Sequence, residues 1–409
     1  MNKQPKPLEG IRVIDYSHFL AGPYLSKCLA ALGAEVIKVE RPGSGDAGRD
    51  HPYFIKGESG YFMQQNMGKK GISVNVKDPE GLAFMHKLVE TADVFVENYR
   101  PGALNKLGLG YDTLKEINPK LVYASVSAYG HTGPDSHKAG FGLIAEAKSG
   151  IMAMVGQPDE APPLLRIALG DMYTGIHGVA SVCAALFART TTGQGQHIDM
   201  ALYDCLVSMH EYAVQCYTLS GNKDLPERTG HDLPTSTLYG SFSASDGDLV
   251  IAAQVDDAWK RLAQKIANDT ANPQFAQDSR FHSAEGRNQH RLEILPVVRA
   301  WVAPQTVAEC LASLEAINIP CAKIQSIDEV IADPQIQARN MIIEQEHPVV
   351  GSVKLVNTPF RFSDSDTTLT TPAPTLGQDN ESIARMLGYS ETEIQQLTER
   401  QVLFTPTQP

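Results

Sequence analysis

One carboxylate stands out by its neighbours. In the segment IALGDMYTGIHG (167–178), Asp171 follows a glycine and precedes an apolar helical pattern. Ile176, Val179, Val182, Cys183, Leu186 and Phe187 recur at helical spacing, which places Asp171 at or near a helix N-terminus. Two roles fit that position. As an N-cap, aspartate is a preferred residue and the helix dipole favours its charge. As a nucleophile, it would use the space left by Gly170, Gly175 and Gly178, since glycine lets a ligand approach the backbone and leaves amide N–H groups to meet an oxyanion. His177 lies off the same helical face and reads as a packed or surface residue.

The chain that carries this segment has 409 residues, 42% of them hydrophobic and 20% charged, the profile of a globular enzyme with two domains. A net charge of -12 argues against general nucleic-acid or anionic-membrane binding. Six cysteines form no CxxC pair and read as reduced thiols, so no metal site is expected. Neither a signal core nor a long apolar run is seen, which points to the cytoplasm.

Strand and helix patterns alternate to residue 200. Strands are expected at 11–15, 34–39, 94–96, 121–126 and 197–200, and helices at 22–32, 80–91 and 111–118. This alternation predicts a Rossmann-like, doubly wound α/β domain with a largely parallel sheet. A long helix is expected at 203–219, then a polar linker at 220–234 and a small α/β block. A dinucleotide site is not expected, because HFLAGP (18–23) stands where G-x-G-x-x-G should be and its proline removes an amide donor.

Cations gather near the expected strand ends: Lys38, Arg41, Lys69, Lys70, Lys77, Arg100, Lys106 and Lys138. Ligands of open α/β sheets bind at the carboxyl ends of strands, so these charges suit a phosphorylated ligand, with a solvated surface as the alternative.

Together, PLEGIRVID (7–15), AGP (21–23), LGAEVIKVERPG (32–43), VENYRPG (96–102), NPKLVYAS (118–125), YGHTGP (129–134), GQGQ (193–196), DPQIQARN (333–340) and LGY (387–389) resemble the class III CoA-transferases. The resemblance runs through nearly the whole chain. It implies an acyl-CoA:carboxylate CoA-transferase with Asp171 as nucleophile, no tightly bound cofactor, and acyl-CoA and a small carboxylic acid as substrates. It also implies an interlocked homodimer of two ring-like chains, with a large domain from 1–220 and 330–409 and a small domain at 225–325. CoA contacts carry over to Leu20, Ala21, Arg41, Val74, Lys77, Asn98, Arg100, Lys106 and Lys138, and Tyr61 matches an acyl-site aromatic.

Two departures bear on specificity. Leu20 replaces a glutamine of the family's formyl-CoA:oxalate transferase, and that enzyme's glycine run is absent between 220 and 257, so strict oxalate or formyl specificity is not expected. The family's racemase branch pairs the aspartate with a histidine where this chain has Phe141, and two-base proton transfer needs both groups. A non-catalytic CoA-binding protein is a third reading. Arg166, close before Gly170 and Asp171, suits either a structural ion pair or a grip on a second substrate carboxylate, which would favour short dicarboxylates.

Overall fold

A computed structural model describes residues 5–233 and 235–406. It divides into two compact units, the first running through Ile151 and taking in Leu165–Tyr212 and the chain from Pro334 onward, the second comprising Met152–Leu164 and Ala213–Asp333.

The first unit is built on six parallel strands: β1 (Arg12–Tyr16), β2 (Glu35–Glu40), β3 (Lys69–Ser73), β4 (Val94–Glu97), β5 (Val122–Ser127) and β6 (His197–Ala201). Their order is β3-β2-β1-β4-β5-β6. Strands such as VFVE and VYASVS are buried along their whole length, as strands covered on both faces must be. Alternation divides their side chains between two cores. Val13, Val36, Val94 and Val122 join one core with Leu25 and Val182, while Ile14, Ile37, Phe95 and Tyr123 join the other with Phe84 and Leu88. Each such side chain contributes roughly 1.5–3 kcal/mol when fully buried.

Seven helices of this unit matter for the site: α1 (Ala21–Ala31), α2 (Gly60–Asn66), α3 (Pro79–Glu90), α4 (Tyr111–Ile117), α5 (Gly142–Lys148), α6 (Leu169–Thr192) and α7 (Leu202–Val207). The C-terminal segment returns to the β3 edge, where Asp379 and Asn380 accept the N–H groups of Gly71 and Ser73. That edge is thereby covered. Because the strand order reverses between β1 and β4, the crevice beyond their carboxyl ends is where such a sheet takes a ligand.

The second unit has a three-stranded antiparallel sheet of Tyr239–Ser243, Asp248–Ala252 and Cys321–Lys323, packed with helices around Trp259, Leu262 and Trp301. The long helix expected at 203–219 is two helices, α7 and Ala213–Leu219. Between them the Ser208 hydroxyl donates to the Cys205 carbonyl at 2.6 Å, and His210 Nε2 lies 2.7 Å from the Ser149 carbonyl. Such side-chain bonds to backbone compete with helix continuation. Among the described residues no helix is long and apolar enough to cross a membrane.

Candidate active site

The loop leaving β1 forms one wall of the crevice, and its backbone is strained. Phe19 has φ 62°, in the left-handed region that side chains with a Cβ avoid. Asn98, just beyond β4, holds the loop from one side: its Oδ1 accepts the His18 N–H at 2.8 Å and its Nδ2 donates to the His18 carbonyl at 2.7 Å. From the other side, Asp46 Oδ1 accepts the Phe19 N–H at 3.0 Å.

Beneath the loop lies a buried ionic cluster. Lys38 pairs with Asp46 at 2.7 Å and donates to the Ser17 carbonyl, and Lys69 pairs with Asp15 at 2.8 Å. Burial opposes the charge on Asp15, yet the adjacent Lys38 and Lys69 ammoniums hold its carboxyl below the usual carboxylate range. Lys38 and Lys69 were expected among the ligand-facing cations. They are instead sealed in the core, where they brace the loop.

The opposite wall starts at α6. Its N-cap is Ala168, so Asp171 stands two residues into the first turn and does not cap the helix. Gly175 and Gly178, expected to leave room for a ligand, instead leave room for α1: a Cβ on Gly175 would lie 2.7 Å from Tyr24 Cδ1, and one on Gly178 would lie 2.2 Å from Leu25 Cδ1. Gly142, at the start of α5, faces Asp171 directly, with its Cβ position 2.1 Å from Asp171 Oδ2.

The Gly170 N–H, expected to face an oxyanion, donates to Glu146 Oε1 of α5 at 3.1 Å. Leu169 N–H bonds the Ile167 carbonyl and Met172 N–H the Ala168 carbonyl. The first turn of α6 is therefore occupied by the protein itself. By contrast, no side chain among the described residues caps α1, whose first turn reaches the cleft at Ala21. Burial, with the Glu146 charge beside it, pushes the Asp171 carboxyl up to about 6.

A cleft of about 360 Å³ joins the two walls. His18, Phe19, Ala21, Asn98, Arg100 and Phe141 line it together with Asp171. Phe19 and Phe141 meet edge to face at 6.3 Å, and burial lowers the His18 pKa. Arg41 is exposed and borders an adjoining hollow that also touches His18 and Tyr99. Tyr61 on α2 stacks on His51 at 4.2 Å, and burial, with the charge of Asp171, raises its hydroxyl pKa.

The remaining expected contacts are more dispersed. Leu20 and Val74 are buried, while Lys77, in a turn, and Lys106, in the short 3-10 helix Asn105–Leu107, are exposed outside the cleft lining. Lys138 is exposed and paired with Asp135 at 2.6 Å. Arg166 is exposed, has φ 60° and forms no ion pair among the described residues, which removes the structural-pair reading within this chain. Glu146, Asp46 and Phe19 were missed by sequence reasoning. Only tertiary contact reveals them, although Glu146 does stand one helical turn after Gly142.

The model of CoA-transferase family III matches residues 8–380. "Succinyl-CoA:glutarate CoA-transferase" of Mus musculus is 37% identical over 96% of this chain and 89% of its own length. "Succinyl-CoA--D-citramalate CoA-transferase" of Chloroflexus aurantiacus is 35% identical over 98% of this chain and 99% of its own. The crystal structure of a CAIB/BAIF family protein from Brucella suis superposes with a TM-score of 0.84 at 35% identity, covering 94% of this chain and all of that one. With a switch-point cleft that holds a carboxylate and these likenesses over nearly its full length, the chain belongs to CoA-transferase family III.

Proposed function

We propose that this enzyme moves CoA from an acyl-CoA donor to a short dicarboxylic acid through covalent intermediates on Asp171. The observation that carries the reading is Asp171 itself: a half-buried carboxylate with no cationic partner among the described residues, facing the cleft at the strand switch point. The carboxylate oxygen attacks the thioester carbonyl, a C–O bond forms, and the C–S pair leaves with the CoA sulfur as thiolate. The thiolate then attacks the aspartyl carbonyl, releasing the donor acid and leaving an aspartyl thioester. The acceptor carboxylate displaces the thiolate to form a new anhydride, whose acyl carbonyl the thiolate attacks, freeing Asp171. No net proton is gained or lost.

The tetrahedral oxyanions need donors, and the uncapped first turn of α1 at Ala21 is better suited than the occupied first turn of α6. CoA would run along Ala21 and Arg100 toward Arg41, with Leu20, Val74 and Asn98 shaping the wall and Lys77, Lys106 and Lys138 reaching the phosphates on closure. Tyr61 and Arg166 would meet the acyl group, with Gly170 keeping α6 close to α5. Dicarboxylate specificity draws support from the glutarate and citramalate named for the relatives and from the unpaired guanidinium of Arg166. Phe141 supplies no second base for racemisation.

A homodimer is in keeping with exposed apolar side chains such as Phe187 and Leu219, which are 77% and 85% accessible. The cytoplasm is the proposed location. A panel of acyl-CoA donors crossed with mono- and dicarboxylic acceptors, scored by chromatography of the CoA products, tests the reading. Preference for monocarboxylates or carnitine-like acids would overturn the substrate class.

A further inference from the structure

Helix α5 turns one face toward the first turn of α6, and two residues of that face meet it in opposite ways. Gly142 offers no side chain to the Asp171 carboxylate. One turn later Glu146, 2% exposed, places its carboxylate on the Gly170 N–H at 3.1 Å. A buried acid and a half-buried one thus share one helix end, where the Asp171 carboxylate accepts its own backbone N–H.

From this geometry we infer that Glu146 is a positioning residue for the transfer reaction: it takes the Gly170 N–H of the helix end, and its charge favours the acylated forms of Asp171. The inference rests on Asp171 being the nucleophile. On attack, the charge on Asp171 leaves with the CoA sulfur and the aspartyl group becomes neutral. Repulsion from Glu146 is present before that step and absent after it, so the interaction raises the ground state selectively.

Other groups surround the pair without replacing this role. Tyr61 of α2 feels the Asp171 charge, and His18, Tyr99 and Arg100 line the same cleft. Tyr24 of α1 abuts α6 at Gly175. On α7, Cys205 is buried and Asp204 exposed, and Lys148 of α5 pairs with Asp135.

Glu146→Gln isolates the charge, because the amide oxygen can still accept the Gly170 N–H. The expected result is an acid limb of kcat/KM shifted to lower pH, a plateau rate reduced by up to about tenfold for each pH unit the limb moves, and an unchanged KM for acyl-CoA. Less acyl-Asp171 should accumulate at steady state, read by mass spectrometry after hydroxylamine trapping. If Glu146 only caps the helix, Glu146→Gln keeps the wild-type pH profile while Glu146→Ala melts earlier, and the inference is overturned. An adduct on some other residue of the wild-type enzyme overturns the Asp171 reading and this inference with it. An adduct on Asp171 together with an unmoved profile overturns only the role of Glu146.

Discussion

Replacing Gly142 with alanine puts a methyl group against the carboxylate of Asp171, the proposed nucleophile. The added Cβ would lie 2.1 Å from Asp171 Oδ2 and 3.1 Å from its Cγ. Ordinary contact begins near 3.4 Å, so about 1.3 Å of separation has to come from one side. The start of α5 runs close to α6, since a Cβ built on Gly170 would lie 3.4 Å from the Gly142 carbonyl oxygen and 3.5 Å from its Cα. The carboxylate is the movable end.

Turning about χ1 keeps the helix intact but swings the oxygen out of line with the thioester. A misplacement on the order of 1 Å costs about 10²-fold in rate. Gly142→Ala should therefore lose about 100-fold in kcat, measured as acyl-CoA conversion by chromatography, while its melting temperature changes little, since alanine suits the helical backbone of this residue. Gly170→Ala is the contrast. Its Cβ meets Leu206 Cδ1 at 3.1 Å, a side-chain end that can give way, so activity should remain within about tenfold of wild type. Full activity in Gly142→Ala, with an unchanged melt, would refute the placement of the reactive oxygen against α5.

The proposed attack needs ionised Asp171, whose carboxyl is pushed up to about 6 from 3.8, so kcat/KM should fall about tenfold per pH unit below pH 6 and stay level above it; a limb centred near 4 contradicts this. Asn98→Ala removes both bonds to His18, each contributing about 1 kcal/mol, and should raise KM for acyl-CoA by loosening the strained Phe19 loop. Unchanged kinetics would show that the loop holds itself. Arg166→Gly should relieve left-handed strain on the order of 1 kcal/mol, raising the melting temperature, yet reduce the preference for dicarboxylic over monocarboxylic acceptors. Retained preference would end its role in specificity. Asp15→Asn leaves Lys69 and Lys38 short of a buried counter-charge and should cost about 3–5 kcal/mol by urea denaturation; a loss below about 1 kcal/mol would show the cluster to be dispensable.

Where the fold was legible, periodicity made it so. The apolar runs at 94–97 and 122–127 are strands because they are buried on both faces, and the helices from Pro79 and Tyr111 begin within a residue of their expected positions. The break at 208–212 was hidden, since it depends on bonds from Ser208 and His210 that a pattern of apolar residues does not show. Asp171 was readable as a helix-start carboxylate beside glycine, but the reasons for its neighbours were not. Gly175 and Gly178 serve contact with α1, and Lys38 and Lys69 serve a buried cluster whose partners lie up to 54 residues away in sequence. Glu146 stands one helical turn after Gly142, but its carboxylate gains meaning only through its contact with the Gly170 N–H of α6.

Incubating the enzyme with an acyl-CoA, quenching with hydroxylamine or borohydride and sequencing its peptides by mass spectrometry tests the central claim most directly. The account predicts a single modified residue, Asp171, with the modification and all transfer activity lost in Asp171→Ala. Transfer that proceeds in Asp171→Ala, or a trapped adduct elsewhere in the wild-type chain, would contradict it.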